Sequence, residues 1–174
     1  MIRLNELDEE CQSFFNGKEI EIIDAEVDFI LVTCALDDLD SVSVNSFPKG
    51  LTILVSSQTG FETELFDEVF VSADGNEIAV EFECSIPNKF WNGFFGLVTY
   101  LDAVHEQVRK SNCFEVTALE LEDNYKSMTV CRNLSNSDLI GPAVLDIAHE
   151  LHMLEKAAKR ALTNEAVNLF SNNE

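Results

Sequence analysis

The chain has 174 residues, enough for one domain with a core of its own, and 46% of them are hydrophobic, which excludes a disordered acidic tail. It carries 32 acidic residues against 11 basic ones, a formal net charge of −21. A field of that sign repels nucleic acid and anionic membrane surfaces and attracts cations or basic proteins, although solubility or adaptation to high salt would also account for it.

No Lys or Arg occurs from Glu19 to Pro48 or from Gly50 to Asn88, so Lys49 is the sole positive charge across that span. The start, Met1-Ile2-Arg3-Leu4-Asn5-Glu6, has no charged-then-apolar signal region, and no apolar run reaches membrane-spanning length. A cytoplasmic location is therefore expected. Cys11, Cys34, Cys84, Cys113 and Cys131 are odd in number, scattered and never in a C-x-x-C pair. That pattern predicts reduced, mostly buried thiols acting as small hydrophobes rather than disulfides or a metal cluster.

Leu4, Leu7, Cys11, Phe14 and Phe15 have helical spacing and predict a first helix over 3–16, ended by Asn16-Gly17. Glu19-Ile20-Glu21-Ile22 alternates as a strand, and Val27 to Leu36 reads as a buried strand broken by Asp37-Asp38. Val42 and Val44, alternating with serines, predict a short strand before the Phe47-Pro48-Lys49-Gly50 turn. Leu51, Ile53 and Val55 predict another. Ser56 to Gly60 is loop-like, and Phe61 to Ser72 leads into a hairpin turned by Asp74-Gly75. Beyond it Ile78, Val80, Phe82 and Cys84 alternate with Glu77, Ala79, Glu81 and Glu83, giving an apolar face and an acidic one, until Pro87.

A central helix follows. Phe90, Phe94, Leu97, Leu101, Val104 and Val108 form one stripe, and Trp91, Phe95 and Val98 widen it to a second side. Two readings stay open: a core helix buried on both sides, or a partner or dimer interface carried by Phe90, Trp91, Phe94, Phe95 and Val98. Arg109 and Lys110 complement the negative end of its dipole. Phe114 to Leu121 predicts a strand with an irregularity near Ala118, and Met128 and Val130 lie on its return after an Asp123-Asn124 turn. A capping cluster, Ser135 to Asp138, precedes a long last helix lined by Val144, Ile147, Ala148, Leu151, Leu154, Ala158, Ala161 and Leu162. Its other side bears a basic patch of Lys156, Lys159 and Arg160. These elements predict an α+β fold: an antiparallel sheet packed with an N-terminal, a central and a long C-terminal helix, in a single domain over 1–170 with a frayed tail at 171–174.

The chemistry-bearing residues form no recognised motif. His149-Glu150-Leu151-His152 lacks the second histidine of a zinc helix, because Met153 holds that place. A weak metal pair of His149 and His152, aided by Glu155, is set against two exposed histidines, and the second reading is favoured. His105 has no nucleophile beside it in sequence. Ser57-Gln58-Thr59-Gly60 lacks the glycines and lysine of a phosphate loop. Asp37-Asp38-Leu39-Asp40 lacks the glycine and distal glutamate of a calcium loop. With 32 acids present, no one carboxylate pair stands out as catalytic. No catalytic residue, metal ligand or cofactor is expected.

In its order of helix, several strands, central helix, two strands and long final helix, and in its acidity, the chain resembles the class I type III secretion chaperones. It carries five or six candidate strands before the central helix where that pattern has three. The resemblance implies a small cytoplasmic homodimer that holds an extended client segment, with Phe90 to Val108 at the dimer contact. The favoured expectation is thus a chaperone- or adaptor-like protein-binding protein for a basic or amphipathic partner. An acidic decoy or immunity-type inhibitor of a basic protein, and an enzyme of unrecognised class, are the alternatives.

Overall fold

The computed structural model describes residues 9–26, 28–56, 61–63, 65–74, 77–87, 95–121 and 125–171. Helix α1 spans Glu9–Phe15. Strands β1 (Ile20–Ala25), β2 (Ile30–Cys34), β3 (Leu51–Val55), β4 (Glu68–Asp74) and β5 (Glu77–Pro87) follow it. Then come α2 (Phe95–Ser111), β6 (Glu115–Leu121), β7 (Tyr125–Asn133) and α3 (Ile140–Ser171). The fold is α+β, with the three helices of the sequence reading and a seven-stranded sheet in the order β1-β2-β3-β4-β5-β7-β6. Most of its pairings are antiparallel, but β2 and β3 run parallel, in register from Ile30 with Leu51 to Cys34 with Val55.

The chain divides into two compact units. The first holds 1–61, 68–82 and 132–147, and the second holds 62–67, 83–131 and 148–174.

In the first unit, β2 and β3 alternate buried and half-buried residues, as their β-branched and leucine-rich sequences predict. Val32, Cys34, Leu51, Ile53, Val55, Val71, Val80 and Phe82 form its core, with Val144 and Ile147 from the start of α3. Full burial of one such aliphatic side chain stabilises by roughly 1.5–3 kcal/mol. Cys11, Phe14 and Phe15 of α1 are also buried, and Phe14 meets Phe47 edge-on at 5.5 Å between centroids. The first part of the helix predicted over 3–16, with Leu4 and Leu7, lies outside the described residues.

A parallel pair needs a crossover, and residues 35–50 supply one. The strand expected at Val42 and Val44 does not form there. Leu36–Leu39 and Val44–Ser46 are single 3-10 turns, and Ser43 makes one isolated bridge to Leu139. The serines are the reason: Ser46 Oγ donates to Ser43 O at 2.9 Å, satisfying backbone locally instead of through a ladder. The apolar residues are buried all the same, Leu39 fully and Val42 and Val44 nearly so.

One predicted irregularity is present. β6 is bulged between Val116 and Ala118 in its antiparallel pairing with β7. At the entry to α3, Asp138 accepts a hydrogen bond from the Ser135 amide at 2.7 Å. Gly141 then lets the first turn of α3 approach the chain at Asp40, where an added Cβ would sit 2.9 Å from the Asp40 Cα. Pro142 falls in that same first turn, where its missing N–H costs no helical hydrogen bond.

Gly50 closes the crossover at φ +71°, and an added Cβ would lie 2.5 Å from the Asp28 carbonyl oxygen. Its own carbonyl accepts from the Ile30 amide at 2.9 Å, the first rung of the parallel ladder. Gly50→Ala therefore combines backbone strain with a clash against main chain. It is expected to cost about 1–3 kcal/mol, read as a lower urea midpoint at unchanged slope.

Candidate functional site

Of the predicted interface residues, Phe90, Trp91 and Phe94 lie outside the described residues. Phe95 and Val98 belong to the first turn of α2, and their side chains also lie outside the described residues. Further along the helix Leu101, Val104 and Val108 are fully buried in the second unit. Its C-terminal turn is held by Glu106, whose carboxylate meets Arg109 at 3.1 Å and Lys110 at 3.2 Å. Hydrogen bonds from Arg109 first and Lys110 second hold the Glu106 carboxyl below its usual range.

The second unit also gathers both α3 histidines. Glu62 Oε2 lies 3.1 Å from His149 Nδ1 and 3.7 Å from His152 Nε2. The other ring nitrogen of His152 lies 3.6 Å from Glu155 Oε2, and Glu155 Oε1 accepts from the Leu65 amide at 3.4 Å. The sequence reading of two exposed histidines holds for His149, whose side chain is 63% exposed, but not for His152, at 18%. The difference follows from helical phase. His152 stands one residue beyond Leu151 and three before Glu155, at the margin of the buried stripe.

Glu155, named with the two histidines in the sequence, is unexpected in its burial: its carboxylate is only 2% exposed and flanked at helical spacing by buried Leu151 and Ala158. The available signal was positional, since the step from Leu151 to Ala158 is two helical turns and Glu155 is the residue between them on that face. Its surroundings are polar enough to take it: a backbone amide and an imidazole edge. Chemically the four side chains form a clasp that ties Glu62 and Leu65 to α3. Among the described residues, no group of three or more His, Cys, Asp or Glu side chains is placed to hold a metal ion.

All five cysteines are thiols, with Cys11, Cys34, Cys84 and Cys131 buried and Cys113 exposed. Burial pushes the Cys34 and Cys84 thiols up to about 12. A thiol so raised is a poor nucleophile and a poor metal ligand near neutral pH. The basic patch of α3 faces outward: Lys156, Lys159 and Arg160 are exposed, and the Lys159 ammonium lies 5.4 Å from the Tyr100 ring centroid.

The first unit carries a different surface. The β1–β2 hairpin presents Glu19, Glu21, Asp24, Glu26 and Asp28, all exposed. Among them stand Ile23, 49% exposed, and Phe29, 39% exposed. Ile23 is the extra residue of a bulge, because Ile22 pairs with Val32 while Asp24 pairs with Leu31. Period-two reading of Glu19 to Ile22 finds this strand but not its bulge, which Ile22-Ile23 announces only as a break in the alternation.

No family model matches the chain, and neither a curated protein nor a solved structure shows significant similarity to it. Among the described residues no helix is long and apolar enough to cross a membrane.

Two outcomes check this account. His152→Ala, which removes a ring packed beside the buried Glu155, is expected to cost about 1–2 kcal/mol in urea unfolding, and His149→Ala less than ~0.5 kcal/mol. The thiols set an alkaline limit. The folded chain holds the Cys34 and Cys84 protons more tightly than the unfolded chain, whose thiols titrate near 9. Their contribution is whole below about pH 9 and declines as pH rises towards 12. The double variant Cys34→Ala/Cys84→Ala should lose stability less steeply over that window than the parent.

Proposed function

We propose that this chain is a small acidic protein-binding protein, chaperone- or adaptor-like, that holds a basic or amphipathic partner. The observation that supports it is the β1–β2 hairpin of the first unit, which exposes Ile23 and Phe29 together with five carboxylates. Apolar side chains exposed among charged ones suit a transient interface, and the single sign of that charge selects a cationic partner. The resemblance to class I type III secretion chaperones adds a homodimer to this reading, with α2 at the contact between copies.

The test is retention of partners from native lysate on the immobilised chain at about 0.1 M salt, where the Debye length is ~10 Å, and again at about 0.5 M. Basic proteins are expected at the lower salt, with a subset held at the higher by the exposed apolar side chains. Loss of every one at the higher salt would favour an electrostatic decoy. Retention of no basic protein at either salt would overturn the reading.

A further inference from the structure

The pairing of β1 defines which of its backbone groups face outward. Among the described residues, β1 is the last strand of the sheet on its side, with β2 as its neighbour. At the hairpin end the Glu26 amide donates to Phe29 O at 2.7 Å, so that pair is turned inward. In an antiparallel ladder inward and outward pairs alternate, so the next pair, Ala25 with Ile30, has its groups turned away from the shared gap. Ile30 agrees, because its amide goes to Gly50 O on the β3 side at 2.9 Å. At the other end, Cys34 O accepts from the Ser56 amide at 2.9 Å, again away from β1. Its partner Ile20, and Ile22 opposite Val32, therefore turn their amides and carbonyls to the outer edge.

Three residues, Ile20, Ile22 and Ala25, thus present outward backbone. The Ala25 amide is already occupied by Asp24 Oδ1 at 2.9 Å. At Ile20 and Ile22 the outward groups are bare of any side chain of their own strand. These same three residues pair with Cys34, Val32 and Ile30, the buried face of β2, and the alternate face carries Glu21 and Asp24.

We propose that this edge takes an extended segment of a basic partner as an additional strand, one in which apolar residues alternate with Lys or Arg. The apolar residues would extend the face of Ile20 and Ile22, and the basic ones would lie beside Glu21 and Asp24. Main-chain bonds give such an addition its affinity and the alternating side chains its selectivity. A second copy of this chain is disfavoured as occupant, because it would set Glu21 and Asp24 against the same carboxylates. This inference rests on the acidic-binding reading above and narrows it to one edge and one backbone mode.

The probe is a short fluorescent peptide of alternating Lys and Val, with two further versions N-methylated on every Val or on every Lys. Methylation removes amide donors without changing charge. Strand addition requires one alternate set of amides and leaves the other in solvent. One methylated peptide is therefore expected to bind at least ~10-fold more weakly than the parent and the other about equally, a gap on the scale of one or two lost hydrogen bonds. Glu21→Lys should weaken the parent peptide, and Ile22→Pro should abolish its binding. Equal binding of both methylated peptides would overturn strand addition while leaving an acidic binding surface intact. A chain that binds neither the parent peptide nor any basic lysate protein would overturn the broader reading as well. Concentration-dependent dimerisation abolished by Ile22→Pro would assign the edge to a second copy and overturn the proposed occupant.

Discussion

The parallel pairing of β2 with β3 is the constraint on which the first unit depends. Two parallel neighbours cannot be joined by a tight turn, so residues 35–50 must leave the end of β2 and return to the start of β3. On the way Leu36, Leu39, Val42 and Val44 are buried, and the crossover contributes apolar side chains to the core. Its last residue, Gly50, is held in a conformation that other residues adopt only with strain, and from there it starts the ladder with Ile30. Because β3 occupies one side of β2, β1 is left on the other as the edge strand among the described residues.

Charge is the second constraint. A chain at −21 repels itself when compact, so apolar burial has to exceed both that repulsion and the conformational entropy of ordering. The sheet separates the two demands. β5 buries Ile78, Val80, Phe82 and Cys84 while Glu77 is exposed and Glu81 and Glu83 lie half-buried on the opposite face. Glu155 is the exception, a carboxylate inside an apolar stripe, and it survives there beside His152 and the Leu65 amide. Such an arrangement specifies which turn of α3 faces Glu62 and Leu65, since a one-residue rotation of the helix would bring no equivalent partner to the carboxylate.

Much of the fold was legible in the sequence because most of its strands keep a period of two and its last helix a period near 3.6. β3, β5, the bulge of β6 and the start of α3 follow directly from Leu51 to Val55, Ile78 to Cys84, the break near Ala118, and Ser135 to Pro142. The failures are equally physical. Val42 and Val44 mimic a strand because burial alone produces alternation, whereas the neighbouring serines decide the backbone in favour of 3-10 turns. The parallel direction of β2 and β3 leaves no trace in either strand's composition, for both alternate as antiparallel strands do. As to the site, the acids of the hairpin are plain in the sequence as charge. The outward turn of Ile20 and Ile22 depends on hydrogen bonds made at Phe29, Gly50 and Ser56, and no local pattern encodes it.

The bulge in β1 has a consequence for how this chain tolerates changes of length. Ile22 and Asp24 already sit opposite the consecutive residues Val32 and Leu31, so Ile23 is surplus to the ladder. Deleting it leaves every pair from Ile20 to Ala25 in place and returns the strand to regular alternation. Deleting either neighbour instead asks Ile23 to take over a ladder position. Most strands cannot lose a residue without turning the remainder inside out. β1 carries one position at which the loss is absorbed.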